Sequence, residues 1–186
     1  MPISLDRRAV VLAAAAWPSW SAGAREANAA VLLMRHAQTE PGIGDPPGFV
    51  LGRCATQRNL SDDGRVQARA FGGRLAALGL RPAAIRSSRW CRCLHTAEEV
   101  ARGVGAGAAV PAAWPALDSF FDQRASEPQQ TALLRQRLAG LRDPGFELWV
   151  SHQVNISAFV AASTAMGQAV WVGRRADGSV TVTPFE

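Results

Sequence analysis

The chain has 186 residues, enough for one domain with a substantial core and too short for two ordinary ones. Hydrophobic residues make up 48% and charged residues 19%, the balance of a globular chain and not of a disordered one. All 20 basic residues are Arg and the net charge is only +5, with no basic run and little aromatic interleaving, so a nucleic-acid surface is not expected.

Residues 1–24 read as a leader outside the fold. Ser4-Leu5-Asp6-Arg7-Arg8 is a basic head, Ala9 to Trp17 a short apolar stretch, and Ala22-Gly23-Ala24 a small-residue cleavage site, the makeup of a secretory signal. Cleavage after Ala27-Asn28-Ala29 is the alternative. The paired Arg7 and Arg8 suggest the twin-arginine route, which exports folded proteins. A membrane span needs about 20 apolar residues, and Pro18 stops this stretch well short. The expectation is a periplasmic or secreted domain over residues 25–186, with no transmembrane span in the mature chain.

The apolar run Ala29 to Met34 reads as a buried strand that ends in Arg35-His36. A helix is predicted over Leu60 to Leu78, with Ser61 as N-cap, Asp62 and Asp63 at its positive end, and Gly79 as its stop. Its apolar stripe is Val66, Ala70, Leu75 and Leu78. Ala83 to Ser88 is a second strand, Cys91 to Arg102 a second helix, and a short third strand lies near Val110. The third helix opens near Ser126-Glu127-Pro128, with stripe Leu134, Leu138 and Leu141, and Pro144-Gly145 breaks it. Phe146 to Ser151 is a fourth strand running into a helix over Val154 to Met166. Ala169 to Arg174 and Ser179 to Thr183 form a C-terminal β-hairpin across Ala176-Asp177-Gly178. Strands alternating with helices predict an α/β fold, a mainly parallel sheet flanked by helices on both faces.

Three cysteines in an exported chain mean one pair with one left over, or none paired. Cys91 and Cys93 flank Arg92 in the first turn of a helix and point to different sides, so they pair poorly with each other. Cys54 with Cys93 is the favoured bridge, pinning the loop after the first strand; buried free thiols are the alternative. Cys91, Cys93 and His95 could suggest a metal site, but no second ligand cluster accompanies them, so no metal is expected.

Arg35-His36, Arg92 and His152 each follow a predicted strand, and in open α/β sheets ligands bind at the carboxyl ends of strands. Arg35-His36-Ala37-Gln38-Thr39 resembles the Arg-His-Gly/Ala-x-Thr signature of the histidine phosphatase (phosphoglycerate mutase-like) superfamily. Leu60 to Ala68, Ser87 to Glu98 and Val150-Ser151-His152 are similar to its second, third and fourth blocks, in the right order. Gly44 to Phe49, Cys54 to Leu60 and His152 to Ile156 look most like a bacterial subgroup that includes lipopolysaccharide core heptose phosphatases.

The resemblance implies a phosphomonoesterase that works without metal or cofactor, with His36 as the nucleophile that becomes phosphohistidine. Spacing alone does not separate His36 from His152. Arg35 and Arg92 would clamp the phosphoryl oxygens, since a guanidinium fork matches them, and His152 would add a donor as imidazolium. The relatives' Leu-x-Glu pattern would put the general acid at Ser119, which cannot serve. Asp118 is next in line, then Asp122, then Asp45 or Glu40. Arg58 could reach a second anionic group of the substrate, and Gln153 could narrow the pocket or contact a sugar hydroxyl. His95, inside a helix, reads as structural. A phosphorylated envelope sugar or other small phosphate ester is the expected substrate, with a phosphomutase and a non-catalytic phosphate- or glycan-binding module as alternatives.

Overall fold

The computed structural model describes residues 30–142, 145–175 and 177–186. The leader, the helix break at Pro144 and the turn residue Ala176 lie outside the described residues.

A six-stranded sheet has the order β3-β2-β4-β1-β5-β6. It comprises β1 (Ala30–Arg35), β2 (Ala84–Ser87), β3 (Pro111–Ala113), β4 (Phe146–Ser151), β5 (Ala169–Arg174) and β6 (Val180–Pro184). β1, β2, β3 and β4 are parallel, and the β5–β6 hairpin adds to β1 antiparallel. The helices are α1 (Asp62–Ala77), α2 (Cys91–Val104), α3 (Glu127–Gly140) and α4 (Gln153–Val160). This is the expected α/β architecture, and no described helix is long and apolar enough to cross a membrane.

β1 is apolar on both sides because it is covered on both sides. Leu32 and Met34 pack with Phe71, Leu75, Ala97 and Val100 under α1 and α2. Val31 and Leu33 face the other way, packing with Leu134, Leu138, Ile156 and Phe159 of α3 and α4.

α1 starts as expected: the Gly64 N–H donates to the Ser61 hydroxyl at 3.1 Å. Its buried stripe differs from the predicted one. Val66 is 69% and Leu78 56% exposed, while Gly64, Ala68, Phe71, Gly72 and Leu75 face inward. The reason is backbone proximity to α2: a Cβ on Gly72 would lie 2.1 Å from the Val100 carbonyl oxygen, and one on Gly103 2.0 Å from that of Arg69. The fourth helix also ends earlier than predicted. α4 stops at Val160, where Ala161 takes φ +54°, and the Gln153 side-chain carbonyl accepts from the Thr164 N–H at 3.0 Å, holding the exit loop.

The cysteine pairing is corrected. Cys54 bonds Cys91, and Cys93 is a buried free thiol. At the first position of α2, Cys91 faces the loop after β1. Two residues further round the helix, Cys93 points its sulfur at the Ser151 carbonyl, 3.6 Å away. Burial pushes the Cys93 thiol up to about 12, so it stays protonated.

Candidate active site

Strand register brings the two imidazoles together. Arg35 lies opposite Ser151 in the parallel β1–β4 pair, so the next residues along each chain are His36 and His152. The ladder continues one step, with the His36 N–H donating to the Ser151 carbonyl at 2.9 Å. The rings meet edge to face with centroids 5.6 Å apart. β2 ends at the same level, since the Ser88 N–H donates to the Val150 carbonyl at 3.0 Å. α2 then starts at once and carries Arg92 in its first turn. Thr96 locks helix to loop: its hydroxyl donates to the Arg92 carbonyl at 2.6 Å and accepts from the Ala37 N–H at 3.0 Å.

His36 is 3% exposed, and its Nδ1–H donates to the Ala37 carbonyl at 2.9 Å. That bond fixes the tautomer and leaves the Nε2 lone pair for the pocket. Burial pushes its pKa down to about 3; the bond to Ala37 opposes this, and the guanidinium groups of Arg92, Arg35 and Arg58 add to it. His36 is therefore neutral at physiological pH, the state a nucleophile needs. Burial, then Arg92, His36, Arg35 and Arg58, likewise hold His152 well below the ordinary histidine range.

The cations around the rings are only partly occupied. Arg35 Nη1 donates to the Thr164 carbonyl at 2.9 Å, and Arg92 Nη1 to the Asp45 carboxylate at 2.7 Å. The Nε atoms of Arg35 and Arg92 are buried without a partner among the described residues. Such orphaned donors mark a place prepared for an acceptor, and guanidinium edges suit the oxygens of phosphate. Arg58 donates through Nε to the Gly44 carbonyl at 2.8 Å and through Nη1 to the Thr39 hydroxyl. Burial and the neighbouring Arg92 lower its pKa, placing it within the same positive field.

The acid candidates separate clearly. Asp118 is 4% exposed; its carboxylate accepts from Arg89 Nε at 2.7 Å and Nη2 at 2.6 Å, and from the Arg89 N–H at 2.8 Å. It reaches the pocket only through Ser88, whose hydroxyl lies 3.3 Å from Asp118 Oδ1 and 2.9 Å from His152 Nε2. Asp45 is the carboxylate at the pocket itself. It accepts from Arg92, from the Trp90 indole N–H at 2.9 Å and from the Arg58 N–H at 2.9 Å. Burial would raise its pKa, but these bonds, led by that from Arg92, hold it below the usual carboxylate range. Asp122 lines a neighbouring groove of about 520 Å³ together with Trp90, Phe49, Leu51 and Gln129. Glu40 is exposed on the first loop.

Gln153 is not turned toward an anion. Its carbonyl accepts from Thr164, and its amino group donates to the Ser157 hydroxyl at 2.8 Å and the Ala162 carbonyl at 3.1 Å. It positions Arg35 indirectly, by holding the segment whose Thr164 carbonyl receives that guanidinium. His95 sits near Arg65, Glu98, Glu99 and Arg102. Sequence reasoning passed over Ser88, Trp90 and Thr96 as site residues; Ser88 was the readable one, a hydroxyl at the end of a strand level with two histidines. No group of three or more potential metal ligands occurs among the described residues.

Comparison with known proteins agrees with this geometry. Residues 31–120 match the profile of the Histidine phosphatase superfamily (branch 1). The protein histidine phosphatase SixA, solved with tungstate, is 18% identical; the match covers 83% of this chain and 94% of that one at TM-score 0.61. A mycobacterial glucosyl-3-phosphoglycerate phosphatase is 16% identical, covering 84% and 98% at TM-score 0.63. A phosphoglycerate mutase from Plasmodium falciparum is 16% identical, covering 86% and 91% at TM-score 0.57. No curated protein sequence matches the chain.

Proposed function

We propose that this chain, whose residues 31–120 match the Histidine phosphatase superfamily (branch 1), is a phosphomonoesterase of that superfamily acting through phospho-His36. The observation that carries this reading is a neutral, tautomer-fixed His36 beside the buried Nε atoms of Arg35 and Arg92, which have no partner among the described residues. The Nε2 lone pair of His36 attacks phosphorus while the bond to the leaving oxygen breaks. The leaving oxygen takes a proton, and water then cleaves the phosphorus–nitrogen bond, releasing inorganic phosphate and restoring His36. Arg35, Arg92, His152 and Arg58 hold the charge of the transferring group. These cations supply what a metal ion would, so activity is expected to persist with a chelator present.

The test is covalent trapping. With a radiolabelled phosphate ester, the wild type should form an acid-labile, base-stable phosphoenzyme. His36→Ala should form none and lose activity by at least about 10³-fold, as expected for a removed nucleophile. Undiminished labelling in that variant would refute the assignment.

A phosphorylated sugar of the cell envelope is the substrate class we favour. Support comes from the subgroup resemblance in Gly44 to Phe49, from the leader over residues 1–24, and from the groove along Trp90, whose aromatic and amide groups suit a polyhydroxylated ligand. The Cys54–Cys91 bridge suits an oxidising, periplasmic or secreted location. A second class is favoured by one observation: Asp118 is committed to Arg89 and is not free to protonate an alkoxide. Esters with low-pKa leaving groups, such as acyl or histidyl phosphates, need less proton donation. Rates on alkyl and on acyl phosphates separate the two classes, and release of phosphate against its transfer to a second hydroxyl separates phosphatase from mutase.

A further inference from the structure

We propose that Asp118 acts on the reaction through Ser88 as a carboxylate–hydroxyl–imidazole relay that orients His152 and stabilises its protonated form once phosphate is bound. The proposal deepens the phosphatase reading and rests on it for its catalytic consequence. Asp118 and Ser88 are positioning residues in this scheme; of the three, only His152 touches the anion.

The direction of the relay follows from counting donors and acceptors around Ser88. A hydroxyl offers one proton and two lone pairs. The Trp90 N–H, 3.3 Å away, can only donate, so it takes one lone pair. The ionised Asp118 Oδ1, 3.3 Å away, can only accept, so it takes the proton. His152 Nε2, at 2.9 Å, is left with the second lone pair and must itself carry a proton. The Cys93 sulfur lies 3.4 Å from the same Nε2; with its proton directed at the Ser151 carbonyl, 3.6 Å away, the sulfur can only accept from Nε2, which again calls for a proton on that nitrogen.

With Nε2 protonated, Nδ1 is the bare nitrogen, and it faces the phosphate side: Arg92 Nη2 lies 3.5 Å from it. Without phosphate His152 is neutral, because burial and then the positive charge of Arg92, Arg35 and Arg58 disfavour its protonation. A phosphate monoester entering as its monoanion can pass its proton to Nδ1. The phosphate O–H bond breaks, the Nδ1–H bond forms, and the complex holds a dianion against an imidazolium with no change in total protons. The new ring charge strengthens the Nε2–H bond to Ser88, behind which stands the carboxylate of Asp118. The Arg89 guanidinium binds Oδ2, while Oδ1 accepts the Arg89 backbone N–H at 2.8 Å and has a second lone pair for the Ser88 hydroxyl. The remaining charged group near the ring, Asp45, is tied to Arg92.

The relay can be read directly by two-bond proton–nitrogen NMR on protein labelled at histidine, since the chain has only three such rings. In the phosphate-free wild type at neutral pH, His152 should be the Nε2–H tautomer. On addition of inorganic phosphate the same ring should become fully protonated. Ser88→Ala should lose the tautomer preference, and the imidazolium of the phosphate complex should titrate about one pH unit lower, a tenfold weaker hold on the proton. The basic limb of the kcat–pH profile should move with it. Arg89→Gln disturbs the packing of Asp118 but leaves Ser88 facing Oδ1, so it should lower thermal stability while leaving that limb in place. An Nδ1–H tautomer in the free wild type, no protonation on phosphate addition, or an Arg89→Gln limb displaced as far as that of Ser88→Ala would each overturn the proposal. The NMR arm needs no turnover, so failure of the phosphohistidine reading would be visible separately, as persistent labelling of His36→Ala.

Discussion

The two ends of β4 carry Arg-rich clusters with opposite characters. At its amino end Glu147, 4% exposed, accepts from Arg86 Nε at 2.9 Å, from the Trp149 indole N–H at 2.8 Å and from the Arg137 guanidinium. Burial would raise the pKa of this carboxyl, but the bonds from Arg137, Arg86 and Trp149 bring it down to about 2. At the carboxyl end, Arg35 and Arg92 surround two histidines that are forced neutral, and some of their donors have no partner. One cluster is closed by a carboxylate of its own. The other pairs Arg92 with Asp45 but leaves Arg35 without a carboxylate, and the Nε atoms of both without a partner, among the described residues, a charge that the proposed phosphate would answer. The same side chain thus serves as a fastening at one end of a strand and as a receptor at the other, according to whether the chain supplies the acceptor.

That contrast predicts different losses when each cluster is broken. Arg35→Gln removes a proposed phosphate donor that has no carboxylate partner among the described residues. It should lower kcat/KM by about 10²- to 10³-fold, the usual cost of one preorganised donor, while the melting temperature measured without phosphate stays level or rises. A fall in melting temperature without an activity loss would reverse the roles assigned to the two clusters. Glu147→Gln should do the opposite. It leaves two guanidinium groups without their counter-charge and should cost about 2–3 kcal/mol in denaturant unfolding, less than for a wholly buried pair because Arg86 and Arg137 keep access to water. Steady-state activity should remain at the wild-type level.

The pH dependence of stability also separates the clusters, which act in different windows. A histidine held near 3 in the folded state and 6.5 unfolded binds fewer protons folded than unfolded between those values. Its contribution is complete above pH 6.5 and is lost as pH falls toward 3. Glu147, lowered from 4.5 to about 2, contributes fully above 4.5 and loses that contribution only below it. His36→Gln should therefore flatten the fall in unfolding free energy between pH 6.5 and 4.5, and Glu147→Gln only the fall below 4.5. Matching curves for the two variants would remove the distinction.

Much of this arrangement was legible in the sequence, and the parts that were not share a physical cause. Strands such as Phe146–Ser151 are short apolar runs between turn residues, so their type and order could be read. His36, Arg92 and His152 stood at the ends of such runs. The face of α1 was misread because its close approaches are made by glycines, Gly72 against α2 and Gly64 against the Gln38 backbone, which give no hydrophobic signal. The end of α4 has no Gly or Pro beside it; it is set by Gln153 reaching across to Thr164, a contact that no local pattern announces. Helical geometry sends Cys91 and Cys93 to different sides, and only the packed sheet decides which side meets Cys54. Asp118 looked like a free acid because its partner Arg89 lies 29 positions away and on another segment.

Where α1 crosses α2, Gly72 and Gly103 let the two backbones touch with no side chain between them. That contact gives the pocket a fixed gauge on one side. α2 carries Arg92 and cannot be drawn nearer to α1 by trimming a residue, nor eased away without opening the hydrophobic layer beneath it. A new substrate could be accommodated far more cheaply by remodelling the loop of Asp45 and Arg58 or the rim of the groove.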